Sequence, residues 1–144
     1  MINEKTLSLD RLRKKNIFYI DDDSKNRMIV KMIVELYGAK FAFDQWGMTE
    51  VMLQRLEIFR PHLILLDLML PLNVSGYDVF RSIRQSPALK SVPIVIVSAS
   101  DPTAEIQRAR AIGVSGYISK PIDFDRFPHY LRAAIDGEAV WAAE

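Results

Sequence analysis

The sequence predicts an α/β fold, a parallel sheet covered by helices on both faces. Three observations carry that prediction. Five short strand-like runs lie at residues 17–20, 40–43, 62–67, 92–97 and 116–119. The segments between them place apolar residues at three- and four-residue spacing, the period of a helix. The connections are short, and strands that alternate with helices over short connections form right-handed βαβ crossovers. With 144 residues and no internal repeat or linker, the chain has the length of one domain.

The elements follow in order. Residues 1–15 are polar and end in a basic run, with Leu7, Leu9 and Leu12 able to share one side of a short helix. They read as a lead-in to a domain over residues 16–137. Ile17, Phe18, Tyr19 and Ile20 are apolar on both faces, as in a fully buried strand. Met28, Ile29, Met32, Ile33 and Leu36 give a helix over residues 24–37, and Gly38 is a natural C-cap. A short strand over 40–43 comes next. Met52, Leu56 and Phe59 share one face of a helix over residues 49–59, which Pro61 ends. The third strand is 62–67, and a helix over 77–83 leaves at Pro87. The fourth strand, 92–97, leads to a helix over 103–112 closed by Gly113. The fifth strand, 116–119, precedes a last helix over 124–135 with Asp123 as its N-cap. Pro128 lies inside that span and should delay the helix start or kink its first turn. Gly137 ends the helix, and residues 138–144 read as a short tail containing Trp141.

Composition narrows the function. A net charge of +1 gives no electrostatic case for nucleic acid or an anionic membrane surface. The absence of cysteine excludes disulfide and thiol chemistry and fits a cytoplasmic location. No apolar run approaches the ~18 residues that span a bilayer. The N-terminus is too polar for a secretory signal. Two histidines argue against a histidine-rich metal site.

Polar residues stand where the apolar strands stop: Asp21 and Asp22, Asp67, Ser98 and Lys120. Strand C-termini of an open α/β sheet converge on one edge, where ligands bind. The pattern therefore predicts one composite site of three carboxylates, a hydroxyl and an ammonium. Such a mixture suits a divalent cation and a phosphoryl group. Mg²⁺ takes oxygen ligands in near-octahedral geometry, commonly one or two carboxylates with waters and phosphate. Asp21, Asp22 and Asp23 also read as an acidic cluster at a helix N-terminus, which explains Asp23 better than Asp21. Asp67 is the strongest single residue, because solubility does not explain an acid that ends a Leu-Ile-Leu-Leu strand. A carboxylate there can attack phosphorus and form an aspartyl phosphate. Lys120 and the Ser98 hydroxyl could then meet the phosphoryl oxygens, since phosphoryl transfer needs mainly alignment and charge neutralisation. Taken singly, Ser98 reads first as a cap of the following loop, whereas Lys-Pro directly after a buried strand argues against reading Lys120 as a solvated surface lysine.

Four motifs, Tyr19-Ile-Asp-Asp-Asp23, Leu65-Leu-Asp-Leu-Met-Leu-Pro71, Val95-Ile-Val-Ser-Ala99 and Gly116-Tyr-Ile-Ser-Lys-Pro121, resemble the receiver domain of two-component response regulators. The resemblance runs from about residue 17 to residue 135. It implies a flavodoxin-like, doubly wound, five-stranded parallel sheet, (βα)5, with strand order 2-1-3-4-5. By resemblance, Asp67 is the phosphoacceptor and takes its phosphoryl group from a sensor histidine kinase or a phosphotransfer protein. Asp22 is then a direct Mg²⁺ ligand, Asp21 an indirect one through water, and the Met69 main-chain carbonyl a further ligand. Ser98 matches the switch hydroxyl, Lys120 the lysine of the last motif and Tyr117 the switch aromatic that turns inward on phosphorylation. The signal would leave to a protein target through the face of the fourth helix, fifth strand and fifth helix. A phosphorylation-dependent dimer on that face is compatible with the pattern. The chain would be a stand-alone switch and no enzyme beyond its own phosphorylation and dephosphorylation.

Departures from the family pattern are informative. Gly76 stands five residues after Pro71 where the pattern has four, so one extra residue lies in the loop beside the site. By resemblance, Met69 and Ser100 occupy the positions that tune water access to the phosphoryl group, and the apolar Met69 cannot orient a water. Slow self-dephosphorylation is expected. A Mg²⁺-dependent phosphatase of the haloacid-dehalogenase kind is the competing reading. Lys25 at the last position of its D-x-D motif and the short chain argue against it. The acidic loop after Ile20, which lacks a Ser/Thr/Gly phosphate cradle, argues against a flavin-binding module.

Overall fold

The computed structural model of the chain describes residues 9–47 and 49–142. The apolar runs of the first, third, fourth and fifth strands become buried because their alternate side chains meet different helices, while the second, at the sheet edge, is only partly buried. In β1 (Asn16–Ile20), Phe18 and Ile20 enter one core layer while Ile17 and Tyr19 enter the other. The edge strand β2 (Lys40–Asp44) contributes only the half-buried Phe41 and Ala42. β3 (Leu63–Leu66), β4 (Ile94–Ser98) and β5 (Gly116–Ser119) repeat the arrangement of β1. α1 (Ser24–Leu36) and α5 (Phe127–Ile135) cover one face of the sheet. α2 (Thr49–Phe59), α3 (Gly76–Arg84) and α4 (Pro102–Ile112) cover the other. Met52 and Leu56 of α2 are fully shielded against Phe18 and Ile64. Truncating such a leucine to alanine costs about 2–5 kcal/mol.

Strands pair in parallel in the order 2-1-3-4-5, the doubly wound order that the resemblance implied. The sheet then continues. β6 (Val140–Ala142) adds a sixth parallel strand on the β5 edge, where the sequence suggested only a tail. Three residues are too few to show a period, so nothing local announces this strand. Gly137, at φ 86°, ends α5 in a left-handed turn. Its N–H donates to the Ala134 carbonyl and that of Glu138 to Ala133, which reverses the chain toward β5.

Helix starts follow side-chain capping. Asp23, Ser75 and Asp101 accept backbone N–H bonds at the N-termini of α1, α3 and α4. α5 begins at Phe127, later than the expected residue 124. Pro128 occupies its first turn, where a missing N–H costs nothing. Asp123 caps the turn ahead of the helix instead, accepting from Asp125 and Arg126. In α1 the buried residues are Val30, Ile33 and Val34, while Met28, Met32 and Leu36 form an exposed stripe. Leu9 precedes a 3-10 turn (Asp10–Leu12) and Leu12 ends it, and both are buried among Ile17 and the residues of α5. Leu7 lies outside the described residues. No described helix is long and apolar enough to cross a membrane.

Candidate functional site

The site forms because β1, β3 and β5 end together. The N–H of Asp67 donates to the Ile20 carbonyl at 2.9 Å, and that of Lys120 to the Ser98 carbonyl at 2.9 Å. These bonds place the residue after each strand at one edge of the sheet. Gly76 fixes the approach from the other side. A Cβ at Gly76 would lie 2.3 Å from the Asp67 carbonyl oxygen, so only glycine lets α3 begin against the strand end. The extra loop residue is absorbed between them. Leu72 and Asn73 take left-handed conformations, with φ 60° and 59°, in a 3-10 turn (Pro71–Asn73). Leu70 then donates to Val74, and Gly76 to Leu68, so the ladder closes without disturbing Asp67.

Asp21, Asp22 and Asp67 each offer a carboxylate oxygen within 4.8 Å of the others. Lys120 Nζ lies 2.9 Å from Asp21 Oδ2 and 3.0 Å from Asp67 Oδ2. Asp21 is completely buried and Asp67 is 6% exposed, whereas Asp22 faces solvent. The second oxygen of Asp67 accepts the Met69 N–H at 3.2 Å, and Asp21 Oδ1 accepts that of Asp23 at 2.9 Å. Both buried carboxylates are therefore held in fixed orientation. Burial pushes the Asp67 carboxyl up, Lys120 pulls it down and Asp21 pushes it up again; the net direction is up. Burial works to lower the Lys120 ammonium, but the two carboxylates outweigh it and hold it above its ordinary value.

Three carboxylates against one ammonium leave excess negative charge at the edge. All the donors are hard oxygens, and the set matches what Mg²⁺ takes from protein. The residues present fit that ion.

Ser98 and Tyr117 stand slightly apart from this cluster. Ser98 Oγ is buried and bonds Ser100 Oγ and the Ser100 N–H, both at 3.1 Å. The Tyr117 hydroxyl donates to the Ser100 carbonyl at 3.1 Å, and its ring is fully buried. The tyrosine thus already points inward. The Lys120–Pro121 peptide is cis, as Pro121 allows.

Tyr19 is the residue that sequence reasoning passed over. Its hydroxyl donates to Asp21 Oδ2, the same oxygen that Lys120 contacts. Burial first, then the charge of Asp21, hold the phenol far above its ordinary range, so it remains a neutral donor. The signal was present in the strand period. Residues two apart share a face, so a tyrosine two before Asp21 can reach it. Arg27 adds a bond from Nη1 to the Asp21 carbonyl at 2.9 Å.

Comparison with known proteins agrees with this geometry. The family model of the response regulator receiver domain matches residues 17–132. The polar-differentiation response regulator DivK of Brucella anthropi is 31% identical over 119 residues, covering 83% of this chain and 94% of that protein. DivK of Brucella ovis is 30% identical over the same shares. The chemotaxis protein CheY4 of Vibrio cholerae has the same fold, with a TM-score of 0.75 at 19% identity, covering 83% of this chain and 98% of that one. So has the receiver domain of the sensor histidine kinase PA1611 of Pseudomonas aeruginosa, with a TM-score of 0.72 at 22% identity over 85% and 98% of the two chains. That structure carries a magnesium ion coordinated in its active-site cleft. An acidic, lysine-clamped sheet edge of this kind, with a family match over most of the chain, has one conclusion: this chain belongs to the response regulator receiver domains of two-component signalling.

Proposed function

We propose that Asp67 is a phosphoacceptor that takes a phosphoryl group from the phosphohistidine of a sensor histidine kinase or phosphotransfer protein. The carrying observation is the buried, oriented Asp67 carboxylate with Lys120 at 3.0 Å and two further carboxylates within 4.8 Å. An Asp67 oxygen bonds to phosphorus as the P–N bond breaks, and the imidazole leaves. When bound, Mg²⁺ supplies charge neutralisation at the phosphoryl oxygens. Asp22, Asp67 and the Met69 carbonyl would hold it directly, and Asp21 through water.

The other residues have distinct tasks. Tyr19 and the Asp23 N–H keep Asp21 oriented. Lys120 bridges Asp21 and Asp67 before transfer and turns to a phosphoryl oxygen after it. The Ser98 hydroxyl leaves Ser100 to donate to another. That exchange changes the loop after β4 that Tyr117 holds through the Ser100 carbonyl. A protein target then reads the altered surface of α4 and α5, which flank the β6 strand that covers β5. The chain acts by contact and turns over no external substrate. Incubation with a small phosphodonor and Mg²⁺ tests the reading. One phosphoryl group should be added, and Asp67→Asn should abolish the addition. Labelling that persists in Asp67→Asn contradicts it.

A further inference from the structure

The β5 edge is covered by the chain's own β6. Tyr117 pairs with Trp141 and Gly116 with Val140 in parallel register. The Val140 N–H donates to the Ser115 carbonyl at 3.0 Å, and Val140 is buried in the core of α1 and α5. Trp141 packs on the opposite layer, the layer that contains Tyr117. The Arg110 guanidinium of α4 stacks 4.5 Å from the Trp141 ring. β6 thus joins α4 to α5 across the strand that leads into Lys120. With Lys120, Ser119 and Pro121, Trp141 and Ala142 line a cavity of about 380 Å³ at the strand ends.

Gly116 shows that this contact is specific. A Cβ there would lie 2.1 Å from the Val140 carbonyl oxygen, and its nearest neighbours are all atoms of Val140. The φ of Gly116 is not in the left-handed region. An alanine would suit β5 itself and collide only with β6. The approach from α5 is fixed as well. Arg132 Nη1 bonds Glu138 at 2.6 Å and Asp136 at 3.3 Å on either side of the Gly137 turn.

We propose that β6 is an intramolecular cover: it keeps Tyr117 inward and closes the β5 edge to the β5 edge of a second copy. An uncovered strand carrying Gly116, Tyr117 and Ile118, with no charge among them, is a template for pairing with its own kind. The two-fold arrangement that joins identical edges is closed and self-complementary. The proposal does not rest on phosphotransfer, and its test omits Mg²⁺ and phosphodonor, so the two readings fail separately.

The test uses the full chain with Trp46→Phe, which leaves Trp141 as the only tryptophan. Gly116→Ala removes the space that β6 needs. Val140→Pro removes the N–H given to Ser115 and leaves β5 unchanged, so it carries the test if the first variant fails to fold. In the parent, Trp141 emission should be blue-shifted and resist acrylamide. Both variants should show red-shifted emission, a several-fold rise in quenching and faster hydrogen exchange over Gly116–Ser119. Sedimentation should show concentration-dependent dimers in the variants and monomer in the parent. A parent whose Trp141 is quenched like free indole overturns the proposal. So do uncovered variants that stay monomeric at every concentration.

Discussion

Asp67→Asn should stabilise the metal-free protein. Asp67 and Lys120 attract at 3.0 Å by about 5.5 kcal/mol at an effective dielectric of about 20. Asp21 and Asp67, with oxygens within 4.8 Å, repel by about 3.5 kcal/mol on the same scale. About 2 kcal/mol of net attraction remains, against several kcal/mol for taking a carboxylate out of water. Burial wins, in agreement with the raised carboxyl of Asp67. Replacing the charge with an amide of equal size should therefore gain about 1–2 kcal/mol, or roughly 3–6 °C in Tm for a domain of this size. The sign follows from proton linkage. A raised carboxyl binds its proton more tightly in the fold, so stability falls as pH rises from the ordinary value of 3.8 through the raised one. The gain from asparagine is full at neutral pH and shrinks as pH falls toward 3.8. Thermal unfolding in EDTA at neutral and acid pH measures it. A lower Tm for Asp67→Asn at neutral pH would refute the reasoning, because the Lys120 pair would then outweigh burial.

Three other outcomes follow from the same geometry. Lys120→Met leaves the fully buried Asp21 without its cation and should cost about 3–5 kcal/mol in urea unfolding; Mg²⁺ should restore part of the loss. Tyr19→Phe removes a buried hydrogen bond to a carboxylate and should cost about 1.5–3 kcal/mol, with a cost near zero showing that water replaces the hydroxyl. The phosphorylated protein should lose its phosphate slowly, over minutes or longer, because Met69 beside Asp67 offers no group to orient a water. A half-life of seconds in purified protein with Mg²⁺ would show that water reaches the phosphoryl group by another route.

Much of the site was legible because strand ends are local signals. An acid after Leu63, Ile64, Leu65 and Leu66 has no purpose in a core, and parallel pairing brings such positions to one edge. Tyr19 was harder to see. In one dimension it reads as one more apolar strand residue, and only its position two before Asp21 reveals the hydroxyl's partner. The α1 methionines carry a related ambiguity. Their spacing identifies a helix but not its buried side, which Val30, Ile33 and Val34 supply. β6 was not legible at all. Val140, Trp141 and Ala142 form a strand only because β5 offers an edge and Gly116 offers room. Both are tertiary facts.

The most direct test of the central claim is intact-mass measurement after incubation with a small phosphodonor. With Mg²⁺, the chain should gain the mass of one phosphoryl group, and EDTA or Asp67→Asn should each abolish the gain. No gain in Mg²⁺, or a gain that survives Asp67→Asn, would contradict the assignment of Asp67 as the phosphoacceptor.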